Sequence, residues 1–250
     1  MSDVLQELVL ASRDRVATRT AASSRFSAAL RSAGPGGVAV IAEHKRASPS
    51  AGVIRDDLAL EQVVGAYQRG GAAALSILTE PSRFGGRLDD IAAARRVAEL
   101  PILRKDFVVT DYQVYEASVA GADAILLIVA ALEPGPLAEL QALAVALGLE
   151  VLMEVHDRAE LEVALGLDAP IIGINNRNLA TLEVDLQTTC ELLPEIPAGT
   201  IKVAESGFSR RDQLDELAAA GIDAVLIGEA LMRSPDIESA CRQLTSTITG

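Results

Sequence analysis

Lysine is scarce in this chain of 250 residues: Lys45, Lys105 and Lys202 are the only ones, and arginine supplies the other cationic side chains. A guanidinium stays protonated at any working pH, whereas an ammonium can be tuned to give or accept a proton. Lys45 and Lys105 each follow a short apolar run, and so do the carboxylates Glu43, Glu154 and Glu205. Asn175 and Arg177 stand at the equivalent place after one further run, and Ser206 directly follows Glu205. Ammonium, carboxylate and amide groups gathered at one site would supply a general acid, a general base and a clamp for an anion. Two short phrases, Ser206-Gly207 and Gly228-Glu229, could present backbone N–H groups to a phosphate.

These residues can act together only if the backbone collects them. The pattern predicts strands over Val38–Glu43, Ala73–Leu78, Pro101–Arg104, Ala124–Ile128, Glu150–Glu154, Ile171–Asn175, Ile201–Glu205 and Ala224–Ile227. Helical stretches follow them, over Leu58–Arg69, Leu88–Glu99, Tyr112–Ala120, Pro136–Leu147, Arg158–Leu165, Leu186–Leu193 and Arg211–Ala220. Strand alternating with helix is the pattern of a parallel sheet. Glycines at Gly70-Gly71, Gly121, Gly148 and Gly221 read as helix stops. Eight strands predict a closed β/α barrel of one domain, 1–250, and a doubly wound open sheet is the alternative. No G-x-G-x-x-G follows the first strand, which counts against the open sheet.

In a β/α barrel the working residues come from the C-terminal strand ends and the loops after them. The singled-out residues occupy those positions. Residues two apart on a strand share a face, so Glu43 and Lys45 point together, as do Asn175 and Arg177. His44 then points the other way, into the packing between strand and helices. His156 follows Glu154 by two, which leaves it either facing the pocket or anchoring a loop, and no catalytic task falls to either histidine. Lys202 starts its strand, on the face that serves stability. Glu229 would repel a phosphate with its side chain, so only its N–H is expected to contribute.

Half the residues are apolar but only 3% are aromatic, so the core must be aliphatic. The net charge of −13 argues against nucleic acid or an anionic membrane as partner. A small phosphorylated substrate remains compatible, because salt screens the global field within about 8 Å. Two helical segments, about Val4–Arg19 and Arg25–Ser32, form an N-terminal extension over 1–35. The first is too acidic and its apolar run too short for a signal peptide. No apolar stretch approaches the roughly 20 residues of a membrane span. Cys190 and Cys241 lack metal-ligand spacing and read as reduced thiols. A cytoplasmic protein, monomeric or weakly self-associating, without metal or cofactor, is expected.

The candidate residues lie in longer strings that resemble the indole-3-glycerol phosphate synthase family: Ile41-Ala-Glu-His-Lys-Arg-Ala-Ser-Pro-Ser50, Ala74-Leu-Ser-Ile-Leu-Thr-Glu80 with Phe84-Gly-Gly86, and Leu103-Arg-Lys-Asp-Phe107. The likeness continues through Tyr112-Gln-Val-Tyr-Glu116, Leu152-Met-Glu-Val-His156, Ile172-Gly-Ile-Asn-Asn-Arg177, Val203-Ala-Glu-Ser-Gly207 and Leu226-Ile-Gly-Glu-Ala230. It covers the chain from about residue 38, and the N-terminal extension fits the extra helical segment of that family. The resemblance implies closure of 1-(2-carboxyphenylamino)-1-deoxyribulose 5-phosphate to a pyrrole ring, with loss of carbon dioxide and water. It implies Lys105 as general acid, Glu154 and Glu43 as the acid–base pair beside Lys45, and Lys45 with Asn175 on the substrate carboxylate. Arg177 and Glu205 would orient these groups, and Ser206 would contact substrate. Ser48, Gly207, Gly228 and Glu229 would bind phosphate. Whether Lys45 or Glu154 donates the dehydration proton stays open.

Two departures stand out: Ala51, where the family often has Lys, and Glu80, where Asp is frequent. The first bears on any ion pair that would close the loop. The rival readings are another sugar-phosphate isomerase or cyclase barrel, and a non-catalytic barrel that binds phosphate. Glu43 and Lys45 on the first strand, with no cysteine at any strand end, weigh against the former, and the intact acid–base set weighs against the latter.

Overall fold

A run of alternating β-branched and small residues can bury both faces only if helices cover one and other strands cover the other. The computed structural model, which describes residue 6, residues 24–33 and residues 37–246, meets that demand with a closed barrel of eight parallel strands. They are β1 (Ala39–His44), β2 (Ala74–Leu78), β3 (Ile102–Lys105), β4 (Ala124–Ile128), β5 (Glu150–Val155), β6 (Ile171–Asn175), β7 (Ile201–Glu205) and β8 (Ala224–Ile227). Each pairs with its sequence neighbour, and β1 closes the ring against β8. This is the TIM-barrel architecture.

Four of the eight strands have the bounds expected from sequence. The others move by one or two residues, because a strand ends where its neighbours stop pairing. His44 joins β1 opposite Ile77, Lys105 joins β3 opposite Leu78, and Val155 joins β5 opposite Ile174. The helices also track the expectation, as in Arg211–Ala220, Asp111–Ala120 and Leu60–Arg69. The helix after β4 starts at Pro134, where a missing N–H costs nothing. Gly71, Gly121, Gly148 and Gly221 adopt positive φ, but Gly70 stays right-handed, so the stop there belongs to Gly71 alone. Besides the short 3-10 turns Val129–Ala131 and Leu193–Glu195, three elements were not anticipated. They are a short antiparallel ladder of Ala47–Ser48 with Gly52–Val53, a one-turn helix Pro81–Phe84, and the terminal helix Ile237–Thr245.

Period-two alternation divides the core in two. Val40, Ala42, Leu75, Ile77, Ile125 and Leu127 face outward and pack under the helices. Ala39, Ile41, Leu103, Leu126, Leu152 and Val203 fill the barrel interior. Of the N-terminal extension, the described helix α1 (Arg25–Leu30) packs Phe26 and Leu30 into this interior cluster. The carboxylate of Glu150, at the start of β5, accepts the N–H groups of Phe26 and Ser27 at 2.8 and 3.1 Å. That satisfies donors which a helix N-terminus otherwise leaves unpaired. The segment about Val4–Arg19 lies outside the described residues. Among the described residues no helix is long and apolar enough to cross a membrane.

Candidate active site

The interior alternation continues upward, but the residue types change. Ala39 and Ile41 are followed on the same face of β1 by Glu43, Leu103 on β3 by Lys105, Leu152 on β5 by Glu154, and Val203 on β7 by Glu205. These groups meet at the C-terminal mouth. Lys105 Nζ lies 2.6 Å from Glu154 Oε2 and 2.7 Å from Glu205 Oε2. Asn175 Nδ2 donates to Glu154 Oε1 at 3.1 Å, and Ser206 Oγ donates to Asn175 Oδ1 at 2.9 Å. Lys45 Nζ pairs with Glu43 Oε1 at 2.8 Å.

Two glycines make room for this layer. A Cβ on Gly173, in the middle of β6, would stand 2.4 Å from Glu205 Oε1. One on Gly228, just after β8, would stand 2.4 Å from Glu43 Oε1. Both carboxylates therefore occupy space that any other residue would fill.

Glu43, Glu154 and Glu205 are all at most 3% exposed, and the ionisation of Glu154 and Glu205 answers to their neighbours. Burial opposes charge on Lys105, but the carboxylates of Glu154, Glu205 and Glu43 outweigh it and hold the ammonium well above its ordinary range. Burial likewise opposes charge on Glu154. Lys105 and His156 overcome it, and Glu154 sits well below the usual carboxylate range. Glu205 goes the other way: burial, with the charges of Glu154 and Glu43, pushes it up to about 7 against the pull of Lys105. Among the described residues its Oε1 has no hydrogen-bond partner. Two carboxylates on one ammonium thus have opposite tendencies at neutral pH, the separation that acid–base chemistry needs.

The cavity above this layer has a volume of about 420 Å³. Phe84, Phe107 and Phe208 line it. The chain has only four phenylalanines, so three of them gather at one site. Sequence reasoning passed over this wall, although the scarcity of aromatics was a visible pointer to it. Local structure holds the wall in place. Glu80 caps the short helix Pro81–Phe84, accepting the N–H groups of Ser82, Arg83 and Phe84. Buried Arg104 ties Asp106 at 3.0 Å and the Gln113 carbonyl at 2.7 Å, fixing the chain on either side of Lys105 and Phe107.

Opposite lie the loops after β7 and β8. Ser206 and Gly207 both take positive φ, 65° and 93°. A non-glycine residue in that region is strained, and such strain gathers at functional sites. A Cβ on Gly207 would stand 2.7 Å from Leu186.

A family model for indole-3-glycerol phosphate synthase matches residues 4–244. The chain belongs to this family. Its members are carboxy-lyases of tryptophan biosynthesis. Among similar relatives, the indole-3-glycerol phosphate synthase of Aromatoleum aromaticum is 46% identical, covering 98% of this chain and 99% of its own length. That of Sulfurimonas denitrificans is 52% identical over 82% of this chain and 78% of its own. Among solved structures, a 3-hexulose-6-phosphate synthase aligns with a TM-score of 0.67 at 14% identity, covering 83% of this chain and 98% of that one. A tryptophan synthase α-subunit from Pyrococcus furiosus aligns at 0.63 and 15%, covering 84% and 98%. At such identities these two show the shared fold alone.

Of the twelve residues expected from sequence and from the likeness to this synthase family, eleven line the cavity. Ser48 does not: it is buried in the short ladder, where its Oγ accepts the Ala51 N–H at 3.2 Å. Arg177 donates to the Leu182 carbonyl at 2.8 Å, which bends the loop after β6 back to the pocket rim. The Glu229 carboxylate pairs with Arg233 at 2.9 Å, so its charge is compensated. The helix it opens, Glu229–Met232, spans four residues, so any anion there meets local N–H groups rather than a large helix dipole.

His44 is buried on the outer face, as the alternation requires, and burial pushes it down to about 4. Among the described residues Lys202 reaches only the Thr200 carbonyl, at 3.4 Å, on the far side of the barrel from the cavity. Among the described residues no group of three or more His, Cys, Asp or Glu side chains is arranged to hold a metal ion.

Proposed function

We propose that this chain converts 1-(2-carboxyphenylamino)-1-deoxyribulose 5-phosphate to indole-3-glycerol phosphate, with the roles assigned as follows. The observation that carries the reading is Lys105, held as an ammonium between Glu154 and Glu205 beneath a cavity with an aromatic wall. The phenyl ring packs against Phe84, Phe107 and Phe208. The phosphate takes the backbone N–H groups of Gly207, Gly228 and Glu229, where the first turn of a helix has donors to spare. Ser48 joins the phosphate only if the loop after β1 shifts. Lys45 and Asn175 hold the substrate carboxylate, and Arg177 orients the rim.

The ring carbon bearing the carboxylate attacks the sugar carbonyl, and Lys105 donates to the oxygen as it gains charge. Carbon dioxide departs, leaving its electron pair to restore the aromatic ring. The hydroxyl left by the carbonyl then leaves as water. Glu154, held ionised, takes the proton from the neighbouring carbon, which leaves the dehydration proton to Lys45, paired with Glu43. Glu205, near 7, buffers the ammonium between steps. A soluble phosphorylated substrate and an acidic surface fit a cytoplasmic enzyme that binds neither nucleic acid nor membrane, working as a monomer or weak oligomer.

The test is incubation of purified protein with this substrate, following indole fluorescence. The chain has no tryptophan, so its own background is low. Signal from wild type that disappears in Lys105→Ala supports the reading. Substrate binding without turnover in wild type overturns it in favour of a phosphate-binding barrel.

A further inference from the structure

Glu154 has a second cationic neighbour besides Lys105. Two residues further along the chain, just past the end of β5, His156 places Nε2 3.2 Å from Glu154 Oε1. The contact is an ion pair without hydrogen-bond alignment, since Nε2 has no directed partner among the described residues. The opposite ring nitrogen, Nδ1, lies 2.9 Å from Glu160 Oε2 in the helix Arg158–Gly166. The same carboxylate oxygen accepts the His156 backbone N–H at 2.8 Å. Glu160 therefore fixes both the backbone and the ring of His156, and so keeps Nε2 beside Glu154. Glu154 lines the cavity and His156 does not, so the imidazole acts from behind the carboxylate.

We infer that His156 is a positioning residue for the reaction: clamped by Glu160, it holds the Glu154 carboxylate in place and ionised from the side away from substrate. This rests on the reading of Glu154 as the base. The geometry gives Glu154 three partners in two directions, Lys105 on Oε2 and Asn175 with His156 on Oε1. When Lys105 turns toward the substrate oxygen, Oε1 keeps its two contacts and the carboxylate does not swing after the ammonium.

The charged groups around His156 are Glu154 on the preceding strand and Glu160 on the following helix, with Lys105 and Glu205 behind Glu154. Burial would lower the imidazole, but the hydrogen bond with Glu160 and the charges of Glu154 and Glu160 raise it to about 9. The imidazolium is therefore present at neutral pH and lost as pH rises through about 9.

The experiment compares wild type with H156Q, E160Q and E154Q, measuring kcat and KM across pH and the imidazole proton shifts by NMR. In wild type kcat falls as pH rises through about 9. In H156Q kcat at neutral pH is lower by on the order of 10-fold with KM little changed, and the alkaline limb is gone. E160Q keeps the imidazole and moves the limb to lower pH. The protein has two histidines, so the two titrations are separable, and that of His156 falls toward its ordinary value in E154Q without reference to activity. Wild-type kcat in H156Q, or a loss of kcat with the limb unmoved, overturns the inference while an inactive E154Q keeps Glu154 as base. An active E154Q overturns both.

Discussion

The two ends of the barrel interior use the same strands and reach the same burial with opposite chemistry. At the bottom, Ala39, Ile41, Leu103 and Leu152 meet Phe26 and Leu30 of α1. One step higher on the same strands, Glu43, Glu154 and Glu205 are almost as completely buried, and they surround the partly buried Lys105. A buried aliphatic side chain adds roughly 1.5–3 kcal/mol to stability. A buried ion pair contributes little net stability, because desolvation offsets attraction. The upper ring therefore has no need to be ionic for the barrel to stand, and its charges answer to chemistry. The residues that stabilise and those that react are separated along one strand by two positions.

Five tests would break or sharpen this contrast. The largest effect is expected at the top: Lys105→Ala should lower kcat by on the order of 100-fold or more. Near-normal turnover would remove its role as acid. Glu154→Gln should slow chemistry by a comparable but smaller factor with KM little changed, and an effect confined to KM would make it a binding residue.

At the bottom, Phe26→Ala should cost about 3–5 kcal/mol in denaturant unfolding, since it empties a fully buried site. Turnover per folded molecule should be retained, and a parallel loss of kcat would show that the two ends are coupled.

The next effect is on pH. His44, lowered to about 4 by burial, is neutral in the fold and protonates more readily when unfolded. Its contribution is present above 6.5 and is lost as pH falls toward 4, by about 3 kcal/mol at the limit. His156 has the opposite sign, with stability present below 6.5 and lost as pH rises through about 9. Melting temperature against pH should flatten on the acid side in H44Q and on the alkaline side in H156Q. The smallest effect is Lys202→Arg, which should leave kcat and melting temperature almost unchanged. A large loss would contradict its place away from the cavity.

What the chain declares by itself is its periodicity and its residue types at each period. Alternation within strands, glycines at positive φ after helices, and chemical side chains at the ends of apolar runs were all readable, because each is set by a few neighbouring residues. So were the eleven cavity residues, since a barrel collects its strand ends at one mouth wherever the strands lie in sequence. The tertiary structure alone decided which of them touch. That Lys105 sits between Glu154 and Glu205, 49 and 100 positions away, depends on barrel closure. Such contacts set the ionisation of each group, which no residue type announces. The place of Ser48 outside the cavity lining was hidden for the same reason: its loop pairs with itself, and only the fold shows where that ladder lies. His156 was left between pocket and anchor. It proves to be tied to both sides, because Glu160 and Glu154 reach it from a helix and a strand that only tertiary packing sets at that distance.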